Sequence, residues 1–165
     1  MKKPVTFCRV IHLNALRCSV VVMCGDLYGT SLRRKYDAEM RRVKAPKCAP
    51  TFDEQVKRLE EEERSHNGLT RVDLDCGDVT IHLNDWDSGV FVHEAYHAAC
   101  GVMKARGIED PSTETGAYLV EYLFNEVVNT DWTNRDFIKR NVSSPSGAEC
   151  VHNKKKGKAN NGKEK

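Results

Sequence analysis

Two histidines four residues apart are the clearest chemical feature of this 165-residue sequence. His93 and His97 enclose the segment His-Glu-Ala-Tyr-His. On an α-helix, side chains four positions apart lie on one face, one turn from each other, so the two imidazoles can bind a single metal ion. Zn²⁺ suits imidazole ligands, and a catalytic zinc keeps one coordination position open for water. The spacing therefore predicts a zinc site.

Glu94 follows the first of these histidines and supplies the second part of the chemistry. Zinc lowers the pKa of its bound water to about 7. A carboxylate beside that water can accept its proton and later return it to a leaving group, which is general acid–base catalysis. We therefore expect Glu94 to be the general base of a hydrolytic reaction. The pentapeptide indicates an activated water but does not by itself identify the bond that is attacked.

Hydrophobic periodicity predicts the elements that must position these residues. The predicted strands cover residues 4–13 and 18–24, and a hairpin covers residues 70–84. The predicted helices cover residues 31–44, 51–66, 89–105 and 110–128, and a short last helix covers residues 131–140. The sequence therefore predicts an α+β domain in which a short antiparallel or mixed sheet packs on the motif helix and on the helix that follows it.

Capping signals predict where two of these helices begin. Thr51 and Glu54 have the spacing of a capping box, and Asp87 or Ser88 can cap the motif helix. We also expect Trp86 to pack against the core.

Residues 79–128 resemble the zincin metallopeptidases: a strand, the His-Glu-Ala-Tyr-His helix, and a second helix with a carboxylate. In the gluzincin branch the third zinc ligand is a Glu of that second helix, often within a Glu-x-x-Ala pattern. Glu114 begins such a pattern here, so the resemblance implies that it is the third ligand, with Glu121 as the competing carboxylate. Family members often place an Asp after the Ala, where this sequence has Tyr118, and this leaves the orientation of the ligands open.

The resemblance also implies an activity, namely that of a zinc-dependent endopeptidase that cleaves a protein substrate. In zincins the strand before the motif helix lies at the edge of the active cleft and pairs with extended substrate, and residues 79–84 occupy that place. His82 and Asn84 share one face of this strand and are candidates for lining the cleft. The oxyanion-stabilising donor is left open among the side chains Tyr118, Tyr122, Arg106 and His152. Tyr96 and Tyr122 are expected to face the core.

The size of the chain is similar to that of minimal zincin domains of phages and mobile elements. The alternative to a peptidase is a zincin-derived module that binds a protein partner without hydrolysing it.

Composition predicts one folded domain with a basic tail. Hydrophobic residues make up 39% of the chain and charged residues 30%, which is typical of a globular protein. Residues 153–165 contain no large apolar side chain and are rich in Lys. We therefore expect a single domain over residues 1–145 and a disordered tail over residues 146–165. A basic tail of this kind is usually solvated, so nucleic acid is not an expected partner.

Cysteine usage and the N-terminal residues predict a compartment. The seven cysteines form no Cys-x-x-Cys pair, and an exported disulfide framework normally has an even number. Arg9, His12 and Arg17 interrupt the apolar stretch that a signal peptide needs, and the longest apolar run, residues 20–24, is far too short to span a membrane. We therefore expect a cytoplasmic protein with reduced thiols and no membrane partner, while the oligomeric state is left open.

Overall fold

The computed structural model of the chain describes residues 4–62, 67–108 and 114–128. Within these residues the elements follow in the order β1 (Phe7–Leu13), β2 (Cys18–Cys24), α1 (Thr30–Arg42), α2 (Phe52–Glu60), β3 (Gly68–Val72), β4 (Val79–Leu83), α3 (Ser88–Ala105) and α4 (Glu114–Val128). A single 3₁₀ turn over Asn14–Leu16 joins β1 to β2. The predicted α+β class is confirmed, and the sheet is mixed.

The four strands form one sheet in the order β1-β2-β4-β3. β2 pairs antiparallel with β1 and parallel with β4, and β3 pairs antiparallel with β4. β4 is therefore an interior strand, with both of its edges hydrogen-bonded. The prediction that residues 79–84 form the cleft edge and pair with substrate is wrong, because no backbone donors or acceptors of this strand remain free along an edge. β1 and β3 are the edge strands of the described sheet.

In the described part of the chain, two helices cover each face of the sheet. Successive residues of a strand point to opposite faces, so each face buries alternate residues of the strands. The core beneath α3 and α4 takes alternate residues of the strands, Phe7, Ile11, Val20, Val22, Ile81 and Leu83. The core beneath α1 and α2 takes the intervening ones, among them Cys8, Val10, Val21, Met23 and Leu69. The motif helix and α4 thus lie together on one side of the sheet.

The capping predictions are confirmed in their chemistry. The Glu54 amide donates to Thr51 Oγ1 at 3.3 Å and the Thr51 amide donates to Glu54 Oε2 at 2.7 Å, which completes the capping box of α2. Asp87, rather than Ser88, caps α3, since its Oδ1 accepts from the Val90 amide at 2.9 Å. α2 ends at Glu60, earlier than predicted, and residues 63–66 lie outside the described part.

The predicted hairpin over residues 70–84 is present, but its strands are shorter than the alternation suggested. A turn begins at Asp73, directly after β3. The Asp73 amide donates to the Asp78 carbonyl at 2.8 Å, and Asp73 Oδ1 accepts from the Asp75 amide at 3.0 Å. Leu74 and Cys76 therefore lie in an exposed turn instead of continuing the buried face of the strand.

Several predictions fall outside the described residues: the start of the helix over 110–128, the short helix over 131–140, the basic tail, and His152. Within the described ranges, no helix combines the length and the apolar character needed to cross a bilayer.

Candidate metal centre

His93 and His97 lie on the exposed side of α3 with their rings turned toward each other. Their Nε2 atoms are 3.0 Å apart and their ring centroids 4.6 Å apart. Two nitrogens bound to one tetrahedral Zn²⁺ at 2.0–2.1 Å lie about 3.3 Å from each other. The separation of the pair is thus close to that of two ligands of one ion, and the two imidazoles fit zinc in both chemistry and spacing.

α3 presents the histidines outward because mainly apolar side chains, three of them alanines, occupy its buried side. Its buried residues are Phe91, Glu94, Ala95, Ala98, Ala99, Val102 and Met103. The alanines bring the helix axis close to the sheet. Trp86, just before the helix, packs against Phe7 and Phe91 with ring centroids 5.7 and 5.4 Å away, so the predicted packing of Trp86 is confirmed.

Glu94 is the one charged residue of that buried set, with a 3% exposed surface. Its side chain points toward β3, where the Thr70 hydroxyl lies 2.7 Å from Glu94 Oε2 and 3.1 Å from the Glu94 carbonyl oxygen. Gly68 of the same strand approaches so closely that an added Cβ would lie 2.7 Å from Cγ and Oε1 of Glu94. The candidate general base is therefore held between α3 and the edge strand.

Phe124, near the end of α4, packs against Phe91, in the first turn of α3, with ring centroids 6.3 Å apart. Glu121 lies one helical turn before Phe124, and Glu114 lies about 15 Å along α4 from Phe124. Both glutamates are exposed.

The third ligand is not assembled in this conformation. Residues 4–62, 67–108 and 114–128 contain no group of three or more His, Cys, Asp or Glu side chains suited to a metal ion. Within the described residues the structure thus brings His93 and His97 together and holds the Glu94 carboxylate against β3, and neither Glu114 nor Glu121 joins the two histidines.

Tyr96 and Tyr122 do not face the core, and this prediction is wrong. Their exposed fractions are 48% and 43%, and Tyr118 is 65% exposed. The buried side of α4 is formed by Gly116, Leu119, Leu123 and Val127, which displaces the tyrosines to the outer surface. Tyr96 lies next to the metal centre, with its ring centroid 6.2 Å from that of His97.

The other residues predicted for the cleft have different roles. His82 is buried on the far side of the sheet, where its Nε2 lies 2.9 Å from the Gly25 carbonyl oxygen. Arg106 donates to the carbonyl oxygens of Leu16, Arg17 and Cys76 at 2.6, 2.9 and 2.6 Å. Because these bonds tie two loops to the end of α3, Arg106 is a structural residue rather than an oxyanion donor.

A cavity of about 470 Å³ lies on the opposite face of the sheet, beneath α1 and α2. Val10, Val21 and Met40 form apolar parts of its wall, and Gln55 and Thr80 contribute polar atoms. Gln55 Oε1 accepts a hydrogen bond from the Thr80 hydroxyl at 3.0 Å. The sheet separates this cavity from His93 and His97.

Thr70 and Gly68 are the site residues that sequence reasoning missed. Neither residue type signals catalysis, and both lie on a strand more than twenty positions from Glu94. Comparison of the chain with protein-family models, with curated proteins and with solved structures gives no match. The chemistry of the site is therefore inferred from its own residues and geometry.

Proposed function

We propose that this protein is a zinc-dependent peptidase of the zincin type. His93 and His97 bind the metal, and Glu94 acts as general base toward a peptide bond of a protein substrate. The observation that carries the proposal is the arrangement on α3: the Nε2 atoms of His93 and His97 lie 3.0 Å apart, and Glu94, the residue after His93, holds its carboxylate in the contact between α3 and the edge strand.

The different roles proposed for the two histidines and for Glu94 follow from their different burial. Exposed imidazoles can reach an ion from solvent, while a carboxylate packed against β3 keeps a fixed position as the reaction proceeds. When bound, zinc lowers the pKa of its water and polarises the substrate carbonyl. Glu94 accepts the proton of the attacking water and delivers it to the leaving amine.

The third ligand is proposed to be a carboxylate of α4, and the contact between the two helices favours Glu121 over Glu114. Phe124 packs against Phe91, two residues before His93, and Glu121 lies one turn before Phe124. Glu114 lies about two helical turns further along α4, away from this contact.

Substrate binding is proposed at β3 instead of β4. β3 pairs only with β4 in the described sheet, and it carries the two residues that contact Glu94. An extended peptide added to its outer edge would place a scissile bond near the general base, with main-chain hydrogen bonds supplying affinity.

A binding module is the second candidate function, and the cavity beneath α1 and α2 is the observation that favours it. Its volume of about 470 Å³ lies within the range of small-molecule sites, and it is remote from the histidines. A protein of this kind would bind its partner or ligand without turnover.

The deciding experiment measures metal content and cleavage together. We expect about one zinc per purified chain, and cleavage of fluorescein-labelled casein that falls at least about 100-fold in Glu94→Gln while the zinc content is unchanged. Glu60→Gln, at an exposed position of α2 on the other side of the sheet, is the matched control and should cleave like the wild type. Wild-type cleavage by Glu94→Gln would reject Glu94 as the base, and zinc binding without any cleavage would favour the binding module.

A further inference from the structure

Among the residues that the structure describes, one side-chain donor, the Thr70 hydroxyl, contacts the Glu94 carboxylate. The Thr70 hydroxyl lies 2.7 Å from Oε2 and 3.1 Å from the carbonyl oxygen of the same residue, so it can bridge the side chain and the helix backbone. Thr70 lies on β3, 24 residues from Glu94 in the chain, and its side chain points toward α3. A hydrogen bond to a carboxylate is stronger than one between neutral groups and restricts the rotamer that accepts it.

The second carboxylate oxygen of Glu94, Oε1, accepts no hydrogen bond within the described ranges. Thr70 therefore occupies one oxygen of the carboxylate and leaves the other without a hydrogen bond from those residues.

Gly68 restricts the same side chain from the other direction. It lies two residues before Thr70 and thus on the same face of β3. An added Cβ there would lie 2.7 Å from both Cγ and Oε1 of Glu94 and 2.9 Å from Val90 Cγ1. The absence of a side chain at Gly68 leaves room for the carboxylate, and the hydroxyl of Thr70 anchors it.

We propose that Thr70 is a positioning residue for Glu94: its hydroxyl holds Oε2 and thereby the rotamer of the carboxylate, and Oε1 is the oxygen that accepts the proton of the attacking water. The inference rests on the proposed function for its catalytic consequence, but the contact itself is independent of the metal. Replacement of Thr70 should free the carboxylate from β3 without removing a metal ligand.

Carboxyl labelling of the metal-free protein tests the contact. Reaction with a water-soluble carbodiimide and glycinamide, followed by peptide mass spectrometry, measures how accessible Glu94 is. Thr70→Val should raise labelling of Glu94 about tenfold, the factor expected for loss of one hydrogen bond to a carboxylate, and Thr70→Ser should restore protection. Thr80→Val is the matched control, because Thr80 also donates a buried side-chain hydrogen bond, to Gln55 on the opposite face. Unchanged labelling in Thr70→Val would overturn the proposal.

Titration of the cobalt-loaded protein with acetohydroxamate, followed by visible absorption, tests whether Thr70 positions the Glu94 carboxylate for a ligand of the metal. A hydroxamate chelates the metal and donates a hydrogen bond to a neighbouring carboxylate. We expect Thr70→Val to weaken its affinity about tenfold and to lower kcat on labelled casein with KM unchanged, with recovery in Thr70→Ser. Wild-type affinity in Thr70→Val would overturn the positioning role. A wild-type protein that binds hydroxamate but cleaves nothing would instead reject the peptidase function and leave the Thr70 result intact.

Discussion

His93 Nε2 and His97 Nε2 lie 3.0 Å apart on the exposed side of α3. No buried contact requires this convergence, since neither ring belongs to the core. One ring can donate to the other in the metal-free protein, and an ion can replace that hydrogen bond. The spacing of the two Nε2 atoms is thus already close to that of two ligands of one ion.

Removal of either imidazole should abolish tight zinc binding. His93→Ala and His97→Ala each remove one ligand, and we expect zinc affinity to fall at least about 100-fold in each, measured by competition with a chromogenic chelator. His12→Ala removes an exposed histidine whose Nδ1 contacts Ser19 Oγ, away from the site, and should bind zinc like the wild type. Wild-type zinc affinity in His93→Ala or in His97→Ala would contradict the proposal that both histidines bind the metal.

The same zinc-affinity measurement distinguishes the two candidate ligands of α4, Glu121 and Glu114. Because Glu121 lies nearer to the contact between Phe124 and Phe91, Glu121→Ala should lower zinc affinity at least about tenfold, and Glu114→Ala should change it by less than about threefold. The reverse result would support the Glu-x-x-Ala pattern of the sequence over the contact between the two helices.

A methyl group at Gly68 should disturb Glu94 and the contact between α3 and β3. We expect Gly68→Ala to lower the free energy of unfolding by about 1–3 kcal/mol in urea and also to raise carboxyl labelling of Glu94. Gly101→Ala is the control, because its added Cβ would clash with Val72 in the same contact but not with Glu94. It should lose stability without exposing Glu94, and equal labelling of Glu94 in both variants would argue against a specific role for Gly68.

Stability should fall at alkaline pH through the buried thiols. Burial, helped by the negative charge of Asp85, raises the pKa of Cys24 to about 12. Between an unfolded-state pKa near 9 and this value, the unfolded chain releases a proton that the folded chain retains, so stability present below pH 9 is lost as pH rises. Between pH 7 and 10.5, Cys24→Ala should lose about 2 kcal/mol less unfolding free energy in urea than the wild type. Cys48 is exposed, so Cys48→Ala should show the same pH dependence of the unfolding free energy as the wild type.

Much of the fold could be predicted because it depends on short-range patterns. The alternation in β1 and β2, the capping box of Thr51 and Glu54, and the cap at Asp87 each involve residues within a few positions of one another. The four-residue spacing of His93 and His97 is of the same kind, since a helix brings such a pair together wherever it lies in the fold.

The sequence alone was thus enough to predict the helical pair of histidines, the neighbouring acid and the α+β class. The tertiary structure adds that β3 and not β4 is an edge strand and that Glu94 faces Thr70. These features depend on strand order and helix packing between residues far apart in the chain, and burial of the apolar strips of α3 and α4 selects that packing. Local periodicity shows which residues share a face, but not what that face will meet.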